Sequence, residues 1–120
     1  MLTRIAGNLR SHAMTKRIYR QGDVMLEKLD KRLITGAPVA RKGGRVVLAE
    51  GEVTGHAHAI DSTLAQLFEE KDGQLYLRVE PGEPVYLRHE EHAEILLDPG
   101  IYRLRHQREY HPSVLRRVAD

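Results

Sequence analysis

Residues 51–61 read GEVTGHAHAID, with a single alanine between His56 and His58. On an extended strand, residues i and i+2 point the same way with Cα atoms roughly 6.5–7 Å apart, so two imidazoles at this spacing can swing onto one metal ion. Histidine is the commonest ligand for zinc, nickel or iron where thiolates are missing, and this chain has no cysteine. Six of the seven histidines lie between residues 56 and 111, in the groups His56/His58, His89/His92 and His106/His111. That recurrence separates the pattern from an isolated polar pair on a surface.

The second group, HEEH, places His89 and His92 three residues apart. A continuous strand would turn them to opposite faces, so HEEH is expected to cross a tight bend between strands 84–88 and 93–97. One of the pair then supplies a third ligand, with Glu90, Glu91 or Glu94 as a carboxylate donor. Three ligands and an open position are what metal-assisted catalysis requires. The expectation is therefore a divalent ion (Zn, Ni or Fe) bound among His56, His58, His89 and His92, with a hydrolytic or a sensory activity to match. HEEH is not the metalloprotease HExxH, whose histidines stand at i and i+4 on a helix.

The third group supports a different chemistry. In HQREYH, His106, Arg108 and Tyr110 alternate onto one strand face, against Gln107, Glu109 and His111 on the other. Arginine can pair a phosphate, tyrosine can donate to it, and histidine can move a proton near neutral pH. A metal-free RNA- or nucleotide-handling site with His106, Arg108 and Tyr110 as catalytic residues, joined by His58 and His92, is the competing reading. A non-catalytic binding module of a larger assembly is the third. The plain alternatives are a solvated strand face for His106/Arg108/Tyr110 and an acid-rich polar turn for HEEH.

The elements that must position these groups are strands. Period-2 patterning dominates. IYRQGDVML (18–26) holds two short strand runs around the turn signal Gln21-Gly22-Asp23. Further runs are RVVLAE (45–50), HAHAI (56–60), QLYLRVE (74–80), PVYLRHE (84–90), AEILL (93–97) and IYRLRHQREY (101–110), and LAQLFEE (64–70) reads as a strand ahead of the alternative of a helical turn. Turn signals separate them at KDG, Pro81-Gly82 and Asp98-Pro99-Gly100. Residues 27–44 read as a loop with a short turn of helix. HPSVLRRVAD (111–120) reads as a short C-terminal helix with Ser113 as N-cap. About seven or eight short strands, with turns roughly every ten residues, predict an all-β single domain, a small barrel or sandwich. Tyr76, Tyr86 and Tyr102 are expected to be packing residues.

A chain of 120 residues supports one core and not two. The formal charge of +2 misleads, because residues 1–20 alone carry +5 and the remainder sums to −3. The body is thus no basic nucleic-acid-binding surface. Residues 1–13 read as an extension ahead of an alternative start at Met14, with residues 14–120 as the β-rich domain. No apolar run approaches a membrane span. The expected setting is cytoplasmic, the expected ligand a small molecule or RNA, and self-association into a homo-oligomer remains open. A Gly-rich phosphate loop and a serine nucleophile elbow are both missing, which argues against kinases, dinucleotide oxidoreductases and α/β-hydrolases.

QGDVML (21–26), RVVLAEGEVTGHAHAI (45–60), HEEHAEILLDPGIYRL (89–104) and QREY (107–110) together resemble a family of short uncharacterised bacterial proteins. The resemblance covers about Arg20 to Asp120 and implies no activity. A looser resemblance is to cupins, small β-barrels in which an HxH motif is followed by a further histidine from a second motif; His56, His58 and His89 or His92 stand in that order. Ser62 occupies the place of the expected cupin glutamate, and Pro81-Gly82 lies too far upstream of the second motif.

Overall fold

The computed structural model describes residues 17–51 and 55–107. Ten strands follow one another: β1 (Ile18–Gln21), β2 (Val24–Leu29), β3 (Ala37–Pro38), β4 (Val46–Glu50), β5 (Ala57–Ile60), β6 (Ala65–Glu69), β7 (Leu75–Val79), β8 (Val85–His89), β9 (His92–Leu97) and β10 (Gly100–His106). They form a six-stranded sheet in the order β1-β2-β10-β7-β6-β3 and a four-stranded sheet in the order β4-β5-β8-β9. All pairings are antiparallel. The fold is therefore all-β, and of the two closures expected it is the sandwich, not the closed barrel.

Alternation along each strand explains the layering. Val24 and Leu26 of β2, Leu77 and Val79 of β7, Val85 and Leu87 of β8, and Tyr102 and Leu104 of β10 are all at most 3% exposed. The side chains between them face outward or are half-buried. These residues form one cluster between the sheets, with Val46, Leu48 and Ile60 contributed by the four-stranded layer. Every residue of β5 is buried, including both alanines; small side chains on its outer face let neighbouring chain close over it.

Turn chemistry is local and matches the sequence. At KDG, Gly73 adopts φ +89°. Its N–H donates to Glu70 O at 2.8 Å, and Asp72 Oδ1 accepts from Gln74 N at 2.9 Å. That places Glu69 opposite Leu75 and fixes the β6–β7 register.

Three details differ from the sequence expectation. The strands number ten among the described residues, because elements as short as β3 show no alternation to read. The stretch 30–45 contains no helical turn; it holds β3 and an isolated bridge between Lys42 and Arg45. β5 begins at Ala57, so His56 stands just ahead of the strand. The proposed extension 1–13 and C-terminal helix 111–120 lie outside the described residues.

Candidate functional site: a histidine cleft at one end of the sandwich

The β1–β2 turn, the end of β4, the start of β5, the β8–β9 turn and the end of β10 meet at one end of the sandwich. They line a cleft of about 450 Å3. His56, His58, His89, His92 and His106 all line it, along with the carboxylates of Asp23, Glu50 and Glu91. His58 and His89 rings stack at 4.2 Å and 29°, His89 and His92 lie 4.7 Å apart, and His58 and His92 lie 5.8 Å apart at 23°. His56 meets His89 edge-on at 6.0 Å.

His58 is only 6% exposed and Gln21 only 3%. The Gln21 side chain donates from Nε2 to Leu87 O at 3.1 Å and to Ala93 O at 2.9 Å. Only one orientation of the carboxamide satisfies two carbonyls, and it places Oε1 as acceptor 2.9 Å from His58 Nδ1. His58 must then carry its proton on Nδ1, and the lone pair belongs to Nε2. Burial pushes the His58 pKa down to about 4, assisted by the neighbouring His89 and His92 and opposed by Asp23. The ring is neutral at physiological pH.

Two β-bulges supply carbonyls to this scaffold. In the β4–β5 ladder, Val47 faces Ala59 and Ala49 faces His58, which leaves Leu48 as an extra residue. Leu48 O accepts from His106 Nε2 at 2.9 Å. In the β8–β9 ladder, Leu87 faces Ile95 and His89 faces His92, so Ala93 and Glu94 together oppose Arg88. Ala93 O is one of the two carbonyls that hold Gln21. Bulges re-aim side chains beside sites, and here they orient the imidazoles through their hydrogen-bond partners.

The HEEH segment is the tight bend that its spacing predicts. His89 and His92 pair across it, and both rings reach the cleft. His89 Nδ1 accepts the Glu91 backbone N–H at 3.0 Å. Glu90 Oε1 accepts the Ala57 N–H at 3.0 Å, which ties the bend to the start of β5. That bond lowers the Glu90 pKa. Glu91 Oε2 lies 3.4 Å from His56 Nδ1, within ion-pair range. His56 Nδ1 is nonetheless buried without a hydrogen bond among the described residues.

Two glycines make room for the rings. Gly22 adopts φ +58°, and a Cβ there would stand 2.9 Å from His92 Nε2 and 3.2 Å from His58 Cε1. A Cβ on Gly51 would stand 3.2 Å from His56 Cβ and 3.4 Å from His89 Nε2. The Gly22 approach needs bare backbone, whereas at Gly51 the neighbours would have to give by a few tenths of an ångström.

The structure thus gathers His56, His58, His89, His92 and His106. Arg108 and Tyr110 lie outside the described residues, so the His106/Arg108/Tyr110 face is represented by His106 alone. Among the described residues, no three His, Asp or Glu side chains stand ready as a metal-binding group. His58 stacks at 29° on His89 and at 23° on His92, so these rings lie side by side. Convergence requires side-chain rotation, and His92 is exposed enough to provide it.

Gln21, Gly22 and Gly51 carry the site's geometry and were read in the sequence only as turn residues or passed over. A clue to Gln21 exists. It alternates inward with Tyr19 on β1, and a polar amide on a core face needs buried partners.

A family model matches residues 20–107, from β1 through the end of β10. The chain belongs to that family, a domain of unknown function (DUF8820). In this DUF8820 domain, every histidine of the cleft falls within the matched span. The match does not carry the cupin likeness. No curated protein and no solved structure matches the chain. Among the described residues, no helix is long and apolar enough to cross a membrane.

Proposed function

We propose that the cleft binds one divalent transition-metal ion (Zn, Ni or Fe) through His58 and His92, with His56 or Glu91 as third donor, and that it serves a hydrolytic reaction on a small molecule. The observation that carries this reading is the Gln21–His58 pair. A ring pinned through Nδ1 to an outer acceptor, neutral and with its Nε2 lone pair uncommitted to that partner, is the state in which histidine ligates metals. Three further features support it. His56 Nδ1 is a buried nitrogen in need of a partner. Asp23, Glu50 and Glu91 bias the cleft towards cations. The absence of cysteine leaves imidazole and carboxylate as the donor set, which suits a borderline ion with an open coordination position. An ion held there would supply Lewis acidity. The protein's part is to keep His58 in one tautomer, to bring His92 and His56 from separate segments, and to leave room for their rings at Gly22 and Gly51.

The test is metal analysis of untagged protein, followed by calorimetric Zn2+ titration after EDTA treatment. One equivalent should bind, and His58→Ala should weaken binding by at least about 100-fold. Wild-type protein that takes up no ion, or a His58→Ala variant that binds like wild type, would overturn the reading.

A further inference from the structure

The five imidazoles are not chemically equivalent, and the difference assigns a ligand. His58 presents a lone pair at Nε2 because its Nδ1–H is held by Gln21. His89 is wired the opposite way. Its Nδ1 accepts the Glu91 backbone N–H at 3.0 Å, and a backbone N–H can only donate, so the neutral ring must carry its proton on Nε2. That Nε2 has no hydrogen-bond partner among the described residues and is not sealed from solvent. It lies over Gly51, 3.4 Å from where a Cβ would stand, on the wall of the same cleft. The His58 and His89 rings stack at 4.2 Å and 29°, so two oppositely wired imidazoles are neighbours in the wall of one cleft.

We infer that His89 is a hydrogen-bond donor and not a metal ligand, and that it holds a small oxyanion, a carboxylate or a phosphate, next to the ion bound by His58 and His92. The inference rests on the metal reading above and deepens it by naming the class of ligand. Ligation through His89 Nε2 would require loss of the Glu91 N–H bond or removal of the ring's only proton. Donation from Nε2 requires neither. The cleft also makes the anion conditional on the metal. Asp23, Glu50 and Glu91 line it, and these carboxylates repel an oxyanion until a divalent cation offsets them.

The experiment uses full-length Co2+-loaded protein, whose visible spectrum reports both uptake of the ion and entry of an anion beside it. Acetate and inorganic phosphate are titrated separately, which decides between the two oxyanion sources. Wild type should show a saturable spectral change with one of them, and the EDTA-treated protein should bind neither by calorimetry. His89→Ala should keep one equivalent of Co2+ with affinity within about threefold of wild type, and should lose at least about tenfold in anion affinity, the effect of one lost charge-assisted hydrogen bond. His89→Gln restores an N–H donor and should recover part of that loss. If His89→Ala loses Co2+ as His58→Ala does, His89 is a ligand; the inference then fails while the metal reading stands. If His89→Ala binds the anion like wild type, no donor acts there and the inference fails. If wild type takes up no Co2+, the metal reading and this inference fall together.

Discussion

Strands β9 and β10 have a polar cluster at each end, and the two clusters are built on different terms. At one end, Tyr102 is fully buried and donates to Asp98 O at 2.6 Å. Tyr19 donates to Asp98 Oδ2 at 3.2 Å, and the two rings meet edge-to-face at 5.6 Å. Each hydroxyl has its acceptor. At the other end, His58 and His89 are each held through one ring nitrogen, by Gln21 and Glu91 N, and His106 donates to Leu48 O, while the rings line a cleft. The tyrosine corner spends its polar atoms on the fold. The histidine end directs part of its polar capacity into a space that a ligand can enter. Buried polar groups are ordinarily satisfied, so this asymmetry separates the structural cluster from the candidate site more sharply than residue type does.

The largest expected effect falls on the structural end. Tyr102→Ala should destabilise the fold by about 3–5 kcal/mol, the usual cost of truncating a buried aromatic, as measured by urea denaturation. Any folded fraction should bind Zn2+ like wild type. Coupled losses of stability and metal affinity would show that the two ends are not independent.

Gln21→Leu probes the opposite end. It leaves Leu87 O, Ala93 O and His58 Nδ1 without the amide. Metal affinity should fall about 10–100-fold, the range for removing an outer partner of a ligating histidine. Unchanged affinity in calorimetry would remove the tautomer argument.

The two ends should also answer pH in opposite directions. The His58 pKa is lowered to about 4, so between pH 6.5 and 4 the unfolded chain binds a proton that the folded chain refuses. Stability of the metal-free protein should fall as pH drops through that window, by about 1–2 kcal/mol between pH 7 and 5. Burial raises the pKa of both Tyr19 and Tyr102, so above pH 10 the unfolded chain gives up protons that the folded chain keeps. Stability should fall there as pH rises. Thermal melts across pH 4–11 measure both limbs, and His58→Ala should flatten only the acidic one.

The smallest effect is expected at Gly22→Ala. Its φ of +58° and the 2.9 Å approach to His92 Nε2 predict a stability cost of about 1–2 kcal/mol. The displacement of His92 should weaken Zn2+ binding only a few-fold, because the exposed ring can shift. A loss as large as that of His58→Ala would mean that the Gly22 backbone does more than make room.

Most of the strand framework was legible in the residues themselves. Alternation in QLYLRVE and the KDG turn marked β7 and its hairpin with β6, because side-chain period and turn dihedrals are local properties. HEEH was legible as a bend for the same reason. β3 was not, since two residues hold no period, and its existence depends on pairing with Glu69 and Phe68. Leu48 and Ala93 gave no sign of their bulges. A bulge is a mismatch between two strands, and one strand alone cannot show it.

For this protein, the order of residues by itself determined an all-β chain and the three histidine groups with their spacings. These follow from backbone sterics and from which faces must leave water. Only the tertiary structure decided that strands from two sheets bring five imidazoles to one end, that Gln21 selects the tautomer of His58, and that His89 is protonated on the nitrogen where His58 is bare. The first two are properties of segments distant in the chain, formed only once the sheets have stacked and excluded water; the third waits on the β8–β9 bend, which closes the Glu91 N–H onto His89 two residues before it.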